Sequence, residues 1–266
     1  MDSEDIRKRL TGPARARIDA LEVFAEIEST NTYLLEQGSP LPGRYRVAIA
    51  AHQTAGRGRV GKSWLSPESS GLCLSLSYTF CKMPHNLSSL TLASGLAIAA
   101  QLQKFGVDDV ALKWPNDIIA HGGKLGGILT EMKPGGGGTV VTGIGVNVAL
   151  PAAMLQSESW IGKISDLERC LASPPTRDEL AVAVIGCLFD AISRFERDGF
   201  GPFREAWPGF DWLKGKQVVV EQAVGRIEGL ANGIDPDGAL LVQTKGGRAR
   251  VVSGSVAVID DRTVCA

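Results

Sequence analysis

A chain of 266 residues, 44% of them hydrophobic, is long enough for one large domain and a small one around an ordinary core. With 28 basic residues against 29 acidic ones, the net charge of -1 argues against a chain-wide nucleic-acid footprint or a membrane-attracted surface, so any anion site has to be local. Cys73, Cys81, Cys170, Cys187 and Cys265 are odd in number and hold no C-x-x-C pair, against both a disulfide framework and a zinc site; the lack of an apolar leader-like stretch or a spanning run predicts a cytoplasmic protein.

Met1 to Ala20, rich in Arg, Asp and Glu, reads either as a helix or as unstructured chain. Ser29-Thr30-Asn31 has two readings, a helix N-cap or a ligand contact. Val47 to Ala51 suits a strand, and Gln53 to Trp64 follows as QTAGRGRVGKSW. Within it Gly56 to Ser63 spells G-x-x-x-x-G-K-S, the phosphate-binding loop, which requires a helix immediately downstream. Pro67, the serines around it and Gly71 stand where that helix would run, so the context fails. Arg57, Arg59 and Lys62 instead suit a glycine-hinged flap over an anion, mobile when empty.

Leu72, Leu74, Leu76, Tyr78 and Phe80 alternate with small or polar residues, predicting a half-buried strand. Ser89 to Lys104 has helical spacing closed by Gly106, and Val110, Leu112 and Trp114 alternate until Pro115. Lys113-Trp114-Pro115-Asn116-Asp117 then lies at a strand end, where ligands are commonly met, and Lys124 follows between two glycine pairs that leave room for close backbone approach. Taken singly, either lysine reads as a solvated loop charge; jointly the cluster reads as a site. Gly127 to Lys133 and Thr139 to Val148 suit an antiparallel pair with a mobile glycine tip. Thr176 with Glu179 spells a capping box, and Leu180, Val184, Leu188, Ala191 and Phe195 form one apolar helix face ending before Gly199. After Trp212 five short β-rich segments separated by turns predict a small barrel, dividing the chain into residues 1–212 and 213–266.

GRGRVGKSW at 56–64, KWPND at 113–117, GGKLGGILTE at 122–131, STN at 29–31 and GIGVNV at 143–148 together resemble the biotin protein ligases (biotin–[acetyl-CoA-carboxylase] ligases), in order and approximate spacing over about residues 25–266. The resemblance implies an α+β fold: a mixed-sheet catalytic domain akin to class II aminoacyl-tRNA synthetases and lipoate ligases, with a C-terminal SH3-like β-barrel. It implies the substrates biotin and ATP with Mg²⁺, formation of biotinyl-5′-AMP, and transfer of biotin to a lysine of a biotin carboxyl carrier protein domain. Some relatives carry an N-terminal DNA-binding domain; the short stretch before Ser29 suggests the ligase-only form, with neither DNA nor membrane as a partner. Monomer and homodimer both stay open.

Carried over by position, Ser29, Thr30, Asn31 and Gln53 match residues around biotin's ureido end, and Gly56, Arg57, Gly58 and Arg59 the loop that closes over biotin and the adenylate. Lys124 matches the lysine bridging biotin's carboxylate and the phosphate, so Lys124, Arg59 and Asp117 are the catalytic candidates. Lys62, Trp64, Lys113, Asn116 and Asn147 join Arg57, Arg59 and Lys124 on the adenylate side, with Asp117 the candidate Mg²⁺ ligand or orienter of the incoming amine. Asn147 reads equally as structural. Lys62 departs from the arginine common in the family, and a point charge does not replace a bidentate fork. A lipoate or octanoate transferase, a P-loop NTPase and a non-catalytic biotin sensor are the competing readings.

Overall fold

A computed structural model of the chain describes residues 1–159 and 162–259; Cys265 lies outside the described residues. Two short helices, α1 (Ser3–Arg9) and α2 (Gly12–Arg17), precede strand β1 (Ile18–Ile27). The Asp2 carboxylate caps α1, and Ile6, Leu10 and Ala14 are buried, so the charged opening segment is folded onto the core rather than unstructured. Then come α3 (Thr30–Glu36), β2 (Tyr45–Gln53), β3 (Gly71–Thr79), α4 (Leu90–Lys104), β4 (Ala111–Lys113), β5 (Asp117–Ala120), β6 (Gly123–Met132) and β7 (Thr139–Asn147).

These strands form one mixed sheet in the order β1-β2-β3-β7-β6-β5-β4, parallel only between β1 and β2. Period-two alternation sorts its faces. Val47 and Ile49 enter the main core, whereas Ala48 between them packs with Leu34 of α3 and Val141. Every residue of β3 is buried, a correction to the half-buried strand expected from its alternation: helices cover both faces of this central strand, and its small polar side chains point into protein.

Two short helices, α5 (Ala152–Gln156) and α6 (Leu167–Cys170), lead to α7 (Arg177–Asp198) and α8 (Gly201–Ala206). The expected capping box is formed: Thr176 Oγ1 accepts from the Glu179 amide at 3.2 Å while the Glu179 carboxylate accepts from the Thr176 amide at 2.9 Å. Gly199 ends the helix at φ +67°. The apolar face of α7 buries Leu180, Val184, Leu188 and Phe195 in the main core.

Strands β8 (Gln217–Glu221), β9 (Arg226–Ile234), β10 (Leu240–Thr244), β11 (Gly247–Val251) and β12 (Ser255–Val258) form a second, antiparallel sheet in the order β11-β10-β9-β8-β12, built from the five segments expected of the barrel. Leu213, Val218, Val220 and Val242 belong to the same buried cluster as Leu92 and Trp207.

Candidate active site

A cavity of about 220 Å³ opens where α3, the segment 57–64, the β4–β5 turn, β6, β7 and the start of β12 converge. The GRGRVGKSW segment is a tight hairpin, with the Gly58 amide donating to Lys62 O at 2.7 Å and the Trp64 amide to Gly56 O at 2.8 Å. One 3₁₀ turn at Arg59–Gly61 is its sole helical element, so the helix demanded by the phosphate-loop spelling is missing.

One end of the cavity is a chain of buried polar groups. Gln53 Oε1 accepts from the Thr30 amide at 2.8 Å and from its hydroxyl at 3.1 Å. Thr30 Oγ1 lies 2.7 Å from Ser75 Oγ, which donates to Asn31 Oδ1 at 2.6 Å. Asn31 Nδ2 in turn donates to Glu131 Oε2 at 2.9 Å. Arg57 clasps the same carboxylate with both terminal nitrogens, at 2.6 and 3.2 Å. Ser29 fulfils its capping reading, accepting from the Thr32 amide at 3.4 Å, and also lines the cavity.

The other end is cationic. Lys124 Nζ stands 2.5 Å from Asp117 Oδ1 and 5.6 Å from the Trp64 ring centroid. Arg59, Lys62 and Lys113 share the lining with them. Burial holds the Lys113 ammonium below the usual lysine pKa; the Asp117 carboxylate opposes that shift while Lys124 and Lys62 reinforce it. Burial likewise lowers the Arg59 guanidinium, partly offset by Asp117. Asn116 is tied to β6, its Nδ2 donating to Ile128 O at 3.0 Å.

Two proposed contacts are placed elsewhere. Asn147 does not line the cavity: its Nδ2 donates to Lys124 O at 3.2 Å and Ser165 O at 2.9 Å, bracing the strand that carries Lys124, in keeping with the structural one of its two readings. Gly56 also lies outside the lining, and its lack of a side chain lets Trp64 O approach to 2.5 Å from where a Cβ would stand.

Sequence reasoning missed Ser75, Glu131 and the glycines of β7. A Cβ on Gly143 would lie 2.2 Å from Asn31 Oδ1, and one on Gly145 2.4 Å from the Trp64 ring. The signal was present as glycine at alternate positions of a strand, which marks close approach by another group. The barrel's Gly254, Ser255 and Val256 were missed as well; Ser255 Oγ accepts from Lys62 Nζ at 3.4 Å.

A mixed sheet gathers a buried polar chain and several cations in one cavity, with a small antiparallel sheet closing one side, so the site suits a ligand with one polar part and one anionic part. Residues 23–148 match the Biotin/lipoate A/B protein ligase family, and residues 214–258 the Biotin protein ligase C terminal domain. The biotin–[acetyl-CoA-carboxylase] ligase of Mycobacterium tuberculosis is 33% identical over 261 residues, covering 95% of this chain and 93% of the relative. The bifunctional ligase/repressor BirA of Escherichia coli is 34% identical over 231 residues, covering 85% of this chain and 70% of the relative. The Aquifex aeolicus biotin protein ligase solved with biotin and ATP superposes with a TM-score of 0.78 at 27% identity, covering 91% of this chain and 99% of that one. The chain belongs to the biotin protein ligase family, and its smaller sheet is the SH3-like C-terminal unit of that family.

Proposed function

We propose that the protein activates biotin with ATP to biotinyl-5′-AMP and transfers the biotinyl group to one lysine of a biotin carboxyl carrier protein domain. The observation that carries this reading is the two-ended cavity, in which the buried chain Gln53–Thr30–Ser75–Asn31 and the cations Arg59, Lys62, Lys113 and Lys124 share one space.

The polar end offers paired donors and acceptors to a ureido ring, and an analogue lacking those groups would leave buried partners unmatched. At the cationic end the acid's carboxylate attacks the α-phosphorus and pyrophosphate leaves; the acceptor amine then attacks the acyl carbon of the mixed anhydride and AMP leaves. Both steps bring anions together, and each preorganised donor contributes roughly 3 kcal/mol to such a transition state. Lys124, beside Asp117 and over Trp64, is suited to bridge carboxylate and phosphate. Arg59, on the hairpin, is suited to retain the intermediate and exclude water.

Asp117 is the carboxylate of the cavity lining, and the described residues hold no cluster of three or more metal-ligating side chains. That donor set fits Mg²⁺, which takes most of its oxygens from phosphates and water. Bound with the nucleotide, Mg²⁺ would neutralise phosphate charge, and Asp117 would hold it.

We place the boundary between the catalytic unit and the barrel at Trp212/Leu213, and the protein in the cytoplasm; among the described residues no helix is long and apolar enough to cross a membrane. Repressor function is not part of the proposal.

Labelled-pyrophosphate exchange into ATP with Mg²⁺, run with biotin, lipoate, octanoate or no acid, tests the activation step. Exchange with biotin alone is expected; exchange with lipoate or octanoate instead would move the chain to another acyl acid, and none with any acid would refute the reading. Transfer is then read by labelling of a purified carrier domain and its loss when the target lysine is replaced.

A further inference from the structure

Trp114 is 2% exposed, and its indole N–H donates to the Gly238 carbonyl at 2.9 Å, so a residue of the KWPND segment is bonded to a turn of the barrel. Gly238 has φ +83°, and a Cβ there would stand 2.9 Å from Leu92 Cδ1 and 3.1 Å from Ser89 Cβ, which seats the turn against the start of α4. The turn is rigidly built. Asp235 Oδ1 accepts from the Asp237 and Ala239 amides at 2.9 Å each, Arg250 pairs with both Asp235 and Asp237, and Asn86 Nδ2 donates to Asp237 O at 2.8 Å.

The segment is gripped from its other side as well. The Leu112 amide donates to Phe210 O at 2.7 Å, and the Trp212 amide to Leu112 O at 3.0 Å, so the chain entering the barrel runs beside β4. Lys113, Asn116 and Asp117 flank this clamped stretch and line the cavity, as part of the Trp114 side chain also does while its N–H is turned to the barrel. Gln53, Thr30, Ser75 and Asn31, at the polar end, bond to one another and to β6 instead.

We infer that Trp114 and Gly238 are positioning residues through which the barrel turn sets the place of Lys113, Asn116 and Asp117, governing the nucleotide half of the cavity separately from the acid half. This rests on the biotin and ATP reading above. A buried carbonyl that loses its donor is left unsatisfied, which favours displacement of the turn and the segment together.

Trp114→Phe keeps most of the ring and removes the N–H. Calorimetric titration of the whole protein with biotin, and separately with a non-hydrolysable ATP analogue, should show nucleotide affinity falling about tenfold with biotin affinity unchanged. A merely structural role would weaken both ligands together or only lower Tm. If Trp114→Phe does not fold, Asn86→Ala combined with Arg250→Ala loosens the same turn from outside the cavity and should give the same selective loss, reduced in size. Equal loss of both ligands, or unchanged nucleotide affinity, overturns the inference while leaving the functional reading intact. Binding of neither ligand by the unaltered protein would remove that reading and the inference with it.

Discussion

Lys124 is held from three directions: Asp117 and the face of the Trp64 ring at its ammonium, and Asn147 on its own carbonyl. Such a charge is preorganised for an anion rather than left to wander in solvent. Lys124→Ala is therefore expected to reduce biotin-dependent pyrophosphate exchange by a factor of about 100 or more, the loss typical of one strong transition-state donor. Undiminished exchange in that variant would remove Lys124 from the chemistry. Lys113 gives a prediction of opposite sign for stability. Its folded pKa is depressed chiefly by burial, so keeping it protonated costs the fold at neutral pH, and stability rises as pH climbs from the folded value toward the ordinary 10.5. Lys113→Met should raise Tm at pH 7, with the gain shrinking as pH approaches 10, while ATP affinity falls. Paired melting curves across that range check it, and a lower Tm at pH 7 would show that the attraction of Asp117 outweighs burial.

At the scale of elements, β7 works through what it omits. Gly143 and Gly145 clear the space taken by Asn31 of α3 and Trp64 of the hairpin, so three elements meet over one strand. Gly143→Ala would force Asn31 off Ser75, Glu131 and the Leu129 carbonyl, its partners in the polar chain. Biotin affinity should weaken about tenfold, or roughly 1.4 kcal/mol, with ATP-analogue affinity retained; titration with each ligand separates the two. Pairings of this kind explain where the sequence was legible. KWPND and GRGRVGKSW are contiguous, so their residues could be named together, and the 176–199 helix announces itself by cap, period and terminal glycine. The site's polar chain is not contiguous, since Asn31 meets Glu131 across 100 residues, and nothing local in Glu131 marks it as a partner. β1 was hidden because its residues alternate poorly in burial, being an edge strand held by its parallel neighbour β2 rather than by its own pattern. The bonds of Asn147 were hidden for a related reason: the motif fixed its place on the strand but not the loop at Ser165, whose carbonyl takes its amide.

For the whole molecule, two sheets do not mean two independently melting units. Trp207, Leu213, Val218, Val220, Leu240 and Val242 belong to one continuous buried cluster with Leu92, Leu96 and Phe195, and the Trp114–Gly238 hydrogen bond crosses the same boundary. Pulling the smaller sheet away would expose Val218 and Val220, both fully buried, and leave the indole N–H unpaired. At about 25 cal/mol per Å² of apolar surface, baring even a few such side chains costs several kcal/mol, a large share of the 5–15 kcal/mol that holds a typical domain. A state with the barrel detached and the main sheet intact should therefore be sparsely populated. Scanning calorimetry of the whole protein is expected to give one transition whose calorimetric and van't Hoff enthalpies agree. Two resolved transitions would show that the boundary near Leu213 is a weak joint, and the positional coupling between the barrel turn and Lys113, Asn116 and Asp117 would then lack the rigidity it requires.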